Sequence, residues 1–179
     1  MDYTIARFLL QHRCSALDNI AHAAMWAGST VQGVGLCAVL VLIAYLIRRR
    51  IVGLLVGGGS VVVTAVVASV LKGFIDRPRP PVPYAQVEAL GSSMPSTAAA
   101  LSTAALASLW SLRPLAPPAK RAYAGALVCI GLVVDFSVVY LGAHWFTDVL
   151  VGIVLGGAIG LAGLRLTEGV HRRKRPLAT

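Results

Sequence analysis

The sequence predicts an all-α protein, a polytopic membrane helix bundle with five clear transmembrane helices and one further N-terminal helix. Three observations predict it. Apolar residues make up 57% of the 179 and charged residues only 13%, with a mean hydropathy of +0.77. A soluble domain this small needs more polar surface to cover itself. The apolar residues also fall into runs close to the roughly 20 residues needed to span hydrocarbon. Finally, the bases cluster at run ends, in Arg48-Arg49-Arg50, Lys120-Arg121 and Arg172-Arg173-Lys174-Arg175, as they do in cytoplasmic loops of membrane proteins.

The elements follow in order. Residues 1–29 read as an N-terminal segment in which Ile5, Phe8, Leu9, Leu17, Ile20 and Met25 alternate with Arg7, His12, Arg13 and Asp18. That pattern suits an amphipathic helix at the interface or a polar first span packed against the others. Residues 30–165 form the bundle. Its runs are Thr30 to Ile47, Ile51 to Leu71, Ser96 to Leu112, Ala122 to Leu141 and Val149 to Leu164. The last carries Gly152, Gly156, Gly157 and Gly160, small residues that let helices approach closely in lipid. Residues 166–179 read as a basic cytoplasmic tail, which suits anionic lipid as well.

The net charge of +9 does not point to nucleic acid, because the basic clusters carry no interleaved aromatics. Cys14, Cys37 and Cys129 follow no metal or disulfide spacing. The first long apolar run has no small-residue cleavage site after it and reads as a retained span rather than a signal peptide. Alternation from a cytoplasmic Arg48 loop puts every strong basic cluster inside a plasma membrane. It leaves Lys72, Arg77, Arg79, His144 and Asp148 on the extracytoplasmic face, where bases run against the rule and are candidates for function.

Three segments therefore meet at one face: Lys72 to Pro80, Ser93 to Ala98, and Tyr140 to Asp148. Lysine and arginine without matching acids make an anion site, and arginine fits phosphate oxygens bidentately. Ser96 opens a helix and adds its hydroxyl and free N–H groups. His144 and Asp148, four apart, share a helical face. A carboxylate so placed holds one imidazole nitrogen protonated and frees the other as a nucleophile.

These segments resemble the signature of the type 2 phosphatidic acid phosphatase family, relatives of bacterial acid phosphatases and vanadium haloperoxidases. That signature is Lys-x6-Arg-Pro, then Pro-Ser-Gly-His, then Ser-Arg-x5-His-x3-Asp. Lys72 and Arg79-Pro80 match the first motif, Pro95-Ser96 the start of the second, and Ser137, His144 and Asp148 the third, with Tyr140-Leu141-Gly142 also similar. The resemblance covers residues 50 to 165. It implies that Lys72, Arg79 and Ser96 bind phosphate, that His144 attacks phosphorus to give a phosphohistidine, and that Asp148 orients it. It implies no cofactor and no metal, and a lipid phosphate or polyprenyl diphosphate as substrate.

Two departures qualify the resemblance. Thr97-Ala98 stand where the family has Gly-His, its general acid, and Val138 stands where it has a phosphate-gripping arginine. Arg77 is a candidate to substitute for the second. The family reading is thus a lipid phosphatase with a weakened catalytic set. The alternative is a non-catalytic lipid-phosphate binder or regulatory subunit that kept the cradle. Outside the motifs, Asp135 lies within a span and reads as a structural hydrogen-bonding or protonated group. Asp76 balances its basic neighbours, and His12, His22 and His171 read as interfacial or solvated.

Overall fold

The computed structural model describes residues 1–29, 31–113 and 116–173. The expected span start at Thr30, and Lys174 and Arg175 of the tail, lie outside them. Among the described residues seven α-helices follow one another: α1 (Asp2–Gln11), α2 (Ser15–Ser29), α3 (Val31–Ile47), α4 (Ile51–Ile75), α5 (Thr97–Leu109), α6 (Pro117–Tyr140) and α7 (Phe146–Arg173). A single 3-10 turn, Trp110–Leu112, extends α5, and no strand occurs among the described residues.

The all-helical architecture is the expected one, but the spans are cut differently. Among the described residues three helices are long and apolar enough to cross a membrane: Ile51–Ile75, Pro117–Tyr140 and Phe146–Val170. α3 has 17 residues, and Ser15–Gly28 and Gln32–Ile47 are bent by 64° against each other, so that together they make at most one span, broken or re-entrant. The third run, Ser96 to Leu112, gives a shorter apolar helix, Thr97–Leu112. Residues 3 to 27 are not one helix; the chain breaks between Gln11 and Ser15, leaving α1 as a separate amphipathic turn of chain. The exterior is apolar along its length, with Leu55, Val154, Ile47 and Leu166 all well exposed. Such a surface suits lipid rather than water.

Small residues set the packing. α5 is the central helix, flanked by α4, α6 and α7. Along α7, Gly152, Gly156 and Gly160 face it, and a Cβ at Gly156 would run into the carbonyl of Ala100. At Gly152 it would lie 2.6 Å from the Ser96 carbonyl, and at Gly160 2.8 Å from the Ala107 methyl. α4 presents Gly53, Gly57, Ser60, Thr64 and Ala68 as its buried face. Backbones therefore come within contact distance, where dispersion and interhelical polar contacts replace the hydrophobic drive that lipid lacks. At the far end, Arg113 pairs with Glu168 at 2.9 Å and lies over the Trp110 ring.

The three motif segments converge at one end of this bundle. α4 ends where Asp76 adopts the left-handed conformation (φ 42°, ψ 47°), which a short polar side chain tolerates. The connection that follows contains Pro78, Pro80, Pro81, Pro83 and Pro95, and proline lacks the N–H that helix continuation needs. Ser96 then caps α5, and its N–H donates to the Asp148 carbonyl of α7 at 3.0 Å.

The packing makes a testable statement. Gly156→Val should destabilise the bundle by at least about 1–3 kcal/mol, the usual cost of overpacking, because the group it meets is backbone. Gly58→Ala, where nothing lies within 4 Å, should be tolerated. Thermal unfolding in detergent of the two variants checks the contrast.

Candidate active site

The turn between α6 and α7 places the histidine. Gly142 has φ +69°, its N–H donates to the Val139 carbonyl at 3.0 Å, and the Ala143 N–H donates to the Val138 carbonyl at 3.0 Å. That is a Schellman helix end, whose left-handed residue is ordinarily glycine. A Cβ at Gly142 would also collide with the Tyr84 carbonyl, so the Tyr-Leu-Gly sequence here is dictated by backbone. The His144 N–H donates to the same Val138 carbonyl at 3.1 Å.

His144 is buried, and its Nδ1 lies 2.7 Å from the Ser93 carbonyl. A carbonyl only accepts, so Nδ1 carries the proton and Nε2 keeps its lone pair. Nε2 faces Arg79 Nη1 at 3.3 Å. Arg79 donates further to Ala143 O at 2.6 Å, Gly91 O at 2.9 Å and Leu90 O at 3.1 Å. Lys72, in the last turn of α4, donates to Ser92 O at 2.7 Å, an oxygen that Arg79 Nη2 also approaches at 3.4 Å. Lys72, Arg79 and His144 thus gather around the carbonyls of Ser92, Ser93 and Ala143. Burial lowers the His144 pKa from 6.5, the positive charges of Arg79 and Lys72 lower it too, and Asp148 opposes them. The ring is therefore neutral at pH 7.

Asp148 holds this geometry differently from the arrangement expected. Its Oδ2 is 3.7 Å from His144 Nδ1, beyond hydrogen-bond length. Both oxygens are otherwise engaged: Oδ2 accepts the Trp145 N–H at 2.8 Å and Oδ1 accepts Arg77 Nη1 at 2.6 Å. The first bond is the reach-back half of a capping box at the start of α7. The orienting hydrogen bond to His144 comes instead from Ser93, which the sequence offered no reason to select. Arg77 is held between two carboxylates, since its Nη2 also donates to Asp2 Oδ2 at 2.6 Å. Asp2 lies on α1 and accepts from Thr147 N at 3.1 Å and Thr147 Oγ1 at 2.6 Å. Burial pushes the Asp2 carboxyl up, but the bonds from Thr147 and Arg77 outweigh it and hold the group below its ordinary 3.8.

Ser96 is fully buried and its Oγ accepts the Ala99 N–H at a long 3.4 Å. Thr97 is the first residue of α5. Ala98 and Val138 share one apolar patch: Val138 belongs to a buried cluster with Ala99, Ala143 and Val149, against which Ala98 and Met25 pack. One wall of the site is therefore apolar. Asp135, one turn deeper on α6, accepts a long 3.5 Å bond from Ser102 on α5, the interhelical contact expected of it. A small cleft lies beside the turn, lined by Asp2, Arg13, Tyr84, Tyr140, His144 and Trp145. Neither Lys72 nor Arg79 lines it, so it is not the space the cations face. Asp2, Arg13, Ser93, Trp145 and Thr147 were not found from sequence; only the reach-back Asp148, three residues after Trp145, carried a local signal. Among the described residues no group of three or more His, Cys, Asp or Glu side chains is placed to hold a metal.

A buried neutral histidine thus stands beside two cations at one end of a bundle of apolar helices, the architecture of a membrane protein. Residues 53–172 match the sequence profile of the PAP2 superfamily, and the chain belongs to that family. Two solved structures share the fold. The first transmembrane PAP2 type phosphatidylglycerolphosphate phosphatase from Bacillus subtilis is 23% identical with a TM-score of 0.77, over 98% of this chain and 87% of that one. LpxE of Aquifex aeolicus is 20% identical with a TM-score of 0.73, over 92% and 94%. No curated protein matches the sequence significantly.

The protonation state is testable without any substrate. The imidazole 15N titration of His144 should have its midpoint below 6.5 and should move upward in Arg79→Gln, which removes one of the charges that lower it. A depressed folded-state value also has a sign for stability. The His144 contribution is complete above pH 6.5, the unfolded value, and is lost as pH falls through the lowered one.

Proposed function

We propose that this chain is a membrane lipid phosphatase that uses His144 as its nucleophile and prefers a lipid diphosphate, whose leaving group is a phosphate. The observation that carries it is the unprotonated Nε2 of His144, which accepts from Arg79 Nη1 at 3.3 Å, with its other nitrogen committed to Ser93. In the first step the Nε2 lone pair attacks phosphorus; the N–P bond forms as the bond to the leaving oxygen breaks. Arg79 and Lys72 take up the charge on the phosphoryl oxygens, helped by the Ser96 end of α5, where electrostatic stabilisation counts most. Water then attacks the phosphohistidine, releasing phosphate and restoring Nε2. Asp148 acts by fixing the start of α7.

Ala98 leaves the leaving oxygen without a general acid, a contribution typically worth about a hundred- to ten-thousand-fold. An alkoxide leaving from phosphatidic acid needs that proton. A phosphate leaving from a polyprenyl or other lipid diphosphate needs it far less, since its second ionisation lies near pH 6. The site sits at the extracytoplasmic boundary of the plasma membrane in this reading, where a lipid headgroup reaches it sideways. Arg77 is held by two carboxylates and serves as a positioning residue rather than a phosphate clamp.

A second reading has one specific observation in its favour. Ala98 and Val138 pack into a common apolar cluster, as they would in a lipid-phosphate binder that retains the cradle without turnover.

Detergent-purified protein should release phosphate from a polyprenyl diphosphate at least about a hundred times faster than from phosphatidic acid, and His144→Ala should abolish release. Equal rates on the two lipids would refute the leaving-group argument. No release above the His144→Ala background from either lipid would leave the binder.

A further inference from the structure

We propose that Asp2 of the N-terminal helix is a positioning residue for the site, acting through Arg77 on Asp148 and so on His144. This rests on the reading of His144 as the nucleophile. The residues that match the family begin at 53, so α1 lies outside the part of the chain in which the motifs occur. Its first turn nevertheless reaches the site. Asp2 Oδ2 takes both Arg77 Nη2 and Thr147 Oγ1 at 2.6 Å, and Oδ1 takes the Thr147 backbone N–H at 3.1 Å.

Each of those contacts constrains something the histidine depends on. The Thr147 N–H is one of the free donors in the first turn of α7, and a carboxylate there satisfies it and suits the positive end of the helix. Arg77 Nη1 reaches Thr147 Oγ1 and Asp148 Oδ1, each at 2.6 Å. Asp2 thereby fixes the direction from which the guanidinium meets Asp148. Asp148 is fully buried, so its orientation is set entirely by Arg77 and the Trp145 N–H. The Tyr3 ring adds a second hold, 4.7 Å between centroids from the Trp145 ring, next to His144 in sequence. Arg13, from the turn after α1, donates to the carbonyls of Tyr84 and Tyr140 at 2.5 and 3.2 Å, which anchors the helix on the outer ends of α6 and the proline-rich connection.

Without Asp2, Arg77 loses one of its two counter-charges and is free to leave Asp148. The effect should fall on the geometry of attack, not on capture of the anion, because Lys72 and Arg79 do not touch Asp2. Ionic hydrogen bonds of this kind are worth about tenfold to a hundredfold.

The test compares wild type, Asp2→Asn, Arg77→Ala and the double variant by calorimetry with two anions, orthovanadate and inorganic phosphate. Vanadate readily becomes five-coordinate with a nitrogen ligand and reports attack geometry; phosphate reports the cradle. Asp2→Asn should weaken vanadate about tenfold with phosphate unchanged, Asp2→Glu should recover part of the loss, and in the Arg77→Ala background the substitution should cost much less, since only the Thr147 contacts remain. In turnover assays the same variant should lower kcat with KM unchanged. Equal weakening of both anions, or the same loss with and without Arg77, overturns the positioning role. Wild type that binds neither anion overturns it together with the site. Wild type that binds vanadate but releases no phosphate sinks only the hydrolase reading, and the binding cycle still decides the role of Asp2.

Discussion

Lys72 and Arg79 are held close together by dipoles and not by carboxylates, which leaves their charges unneutralised. Here the dipoles are main-chain carbonyls. Lys72 is held by Ser92, and Arg79 by Ala143, Gly91 and Leu90. A carbonyl orients a guanidinium yet leaves its net charge available to a phosphate. Everything else at this end of the bundle follows from supplying those carbonyls: the Schellman end of α6, the proline-rich connection, and the donation from Ser96 to Asp148 that ties α5 to α7. The histidine obeys the same rule, since a carbonyl, not a carboxylate, receives its Nδ1–H.

Arg77 and Arg79 stand two residues apart and are treated in opposite ways. Arg79 meets carbonyls, one imidazole and no carboxylate; Arg77 meets Asp2 and Asp148. A charge-neutralised arginine suits a strut, and a dipole-held one keeps its charge for the phosphate of the proposed reaction. The distinction assigns the roles of the pair more clearly than their exposure or their place in the motif.

That distinction was not legible in the sequence. The all-helical bundle was, because apolar runs and basic run ends follow directly from the bilayer. So was the convergence of Lys72, Arg79, Ser96, His144 and Asp148, because alternation of spans brings their segments to one side. What escaped was of two kinds. Thr30 to Ile47 looked like a span by composition, but helix length and the bend against α2 depend on packing that hydropathy does not record. Ser93 and Asp2 escaped because one contributes a carbonyl, which every residue possesses, and the other lies 75 residues from the arginine it binds.

The shared cluster of Ala98 and Val138 has a consequence for redesign. An arginine placed alone at 138 would enter a buried cluster with Ala99, Ala143 and Val149, and none of these residues supplies a partner charge. A buried unpaired charge is costly. A histidine placed alone at 98 would pack against the same apolar residues. The two positions are therefore coupled through one patch of core, and a polar side chain at either is better accommodated when the other is changed with it.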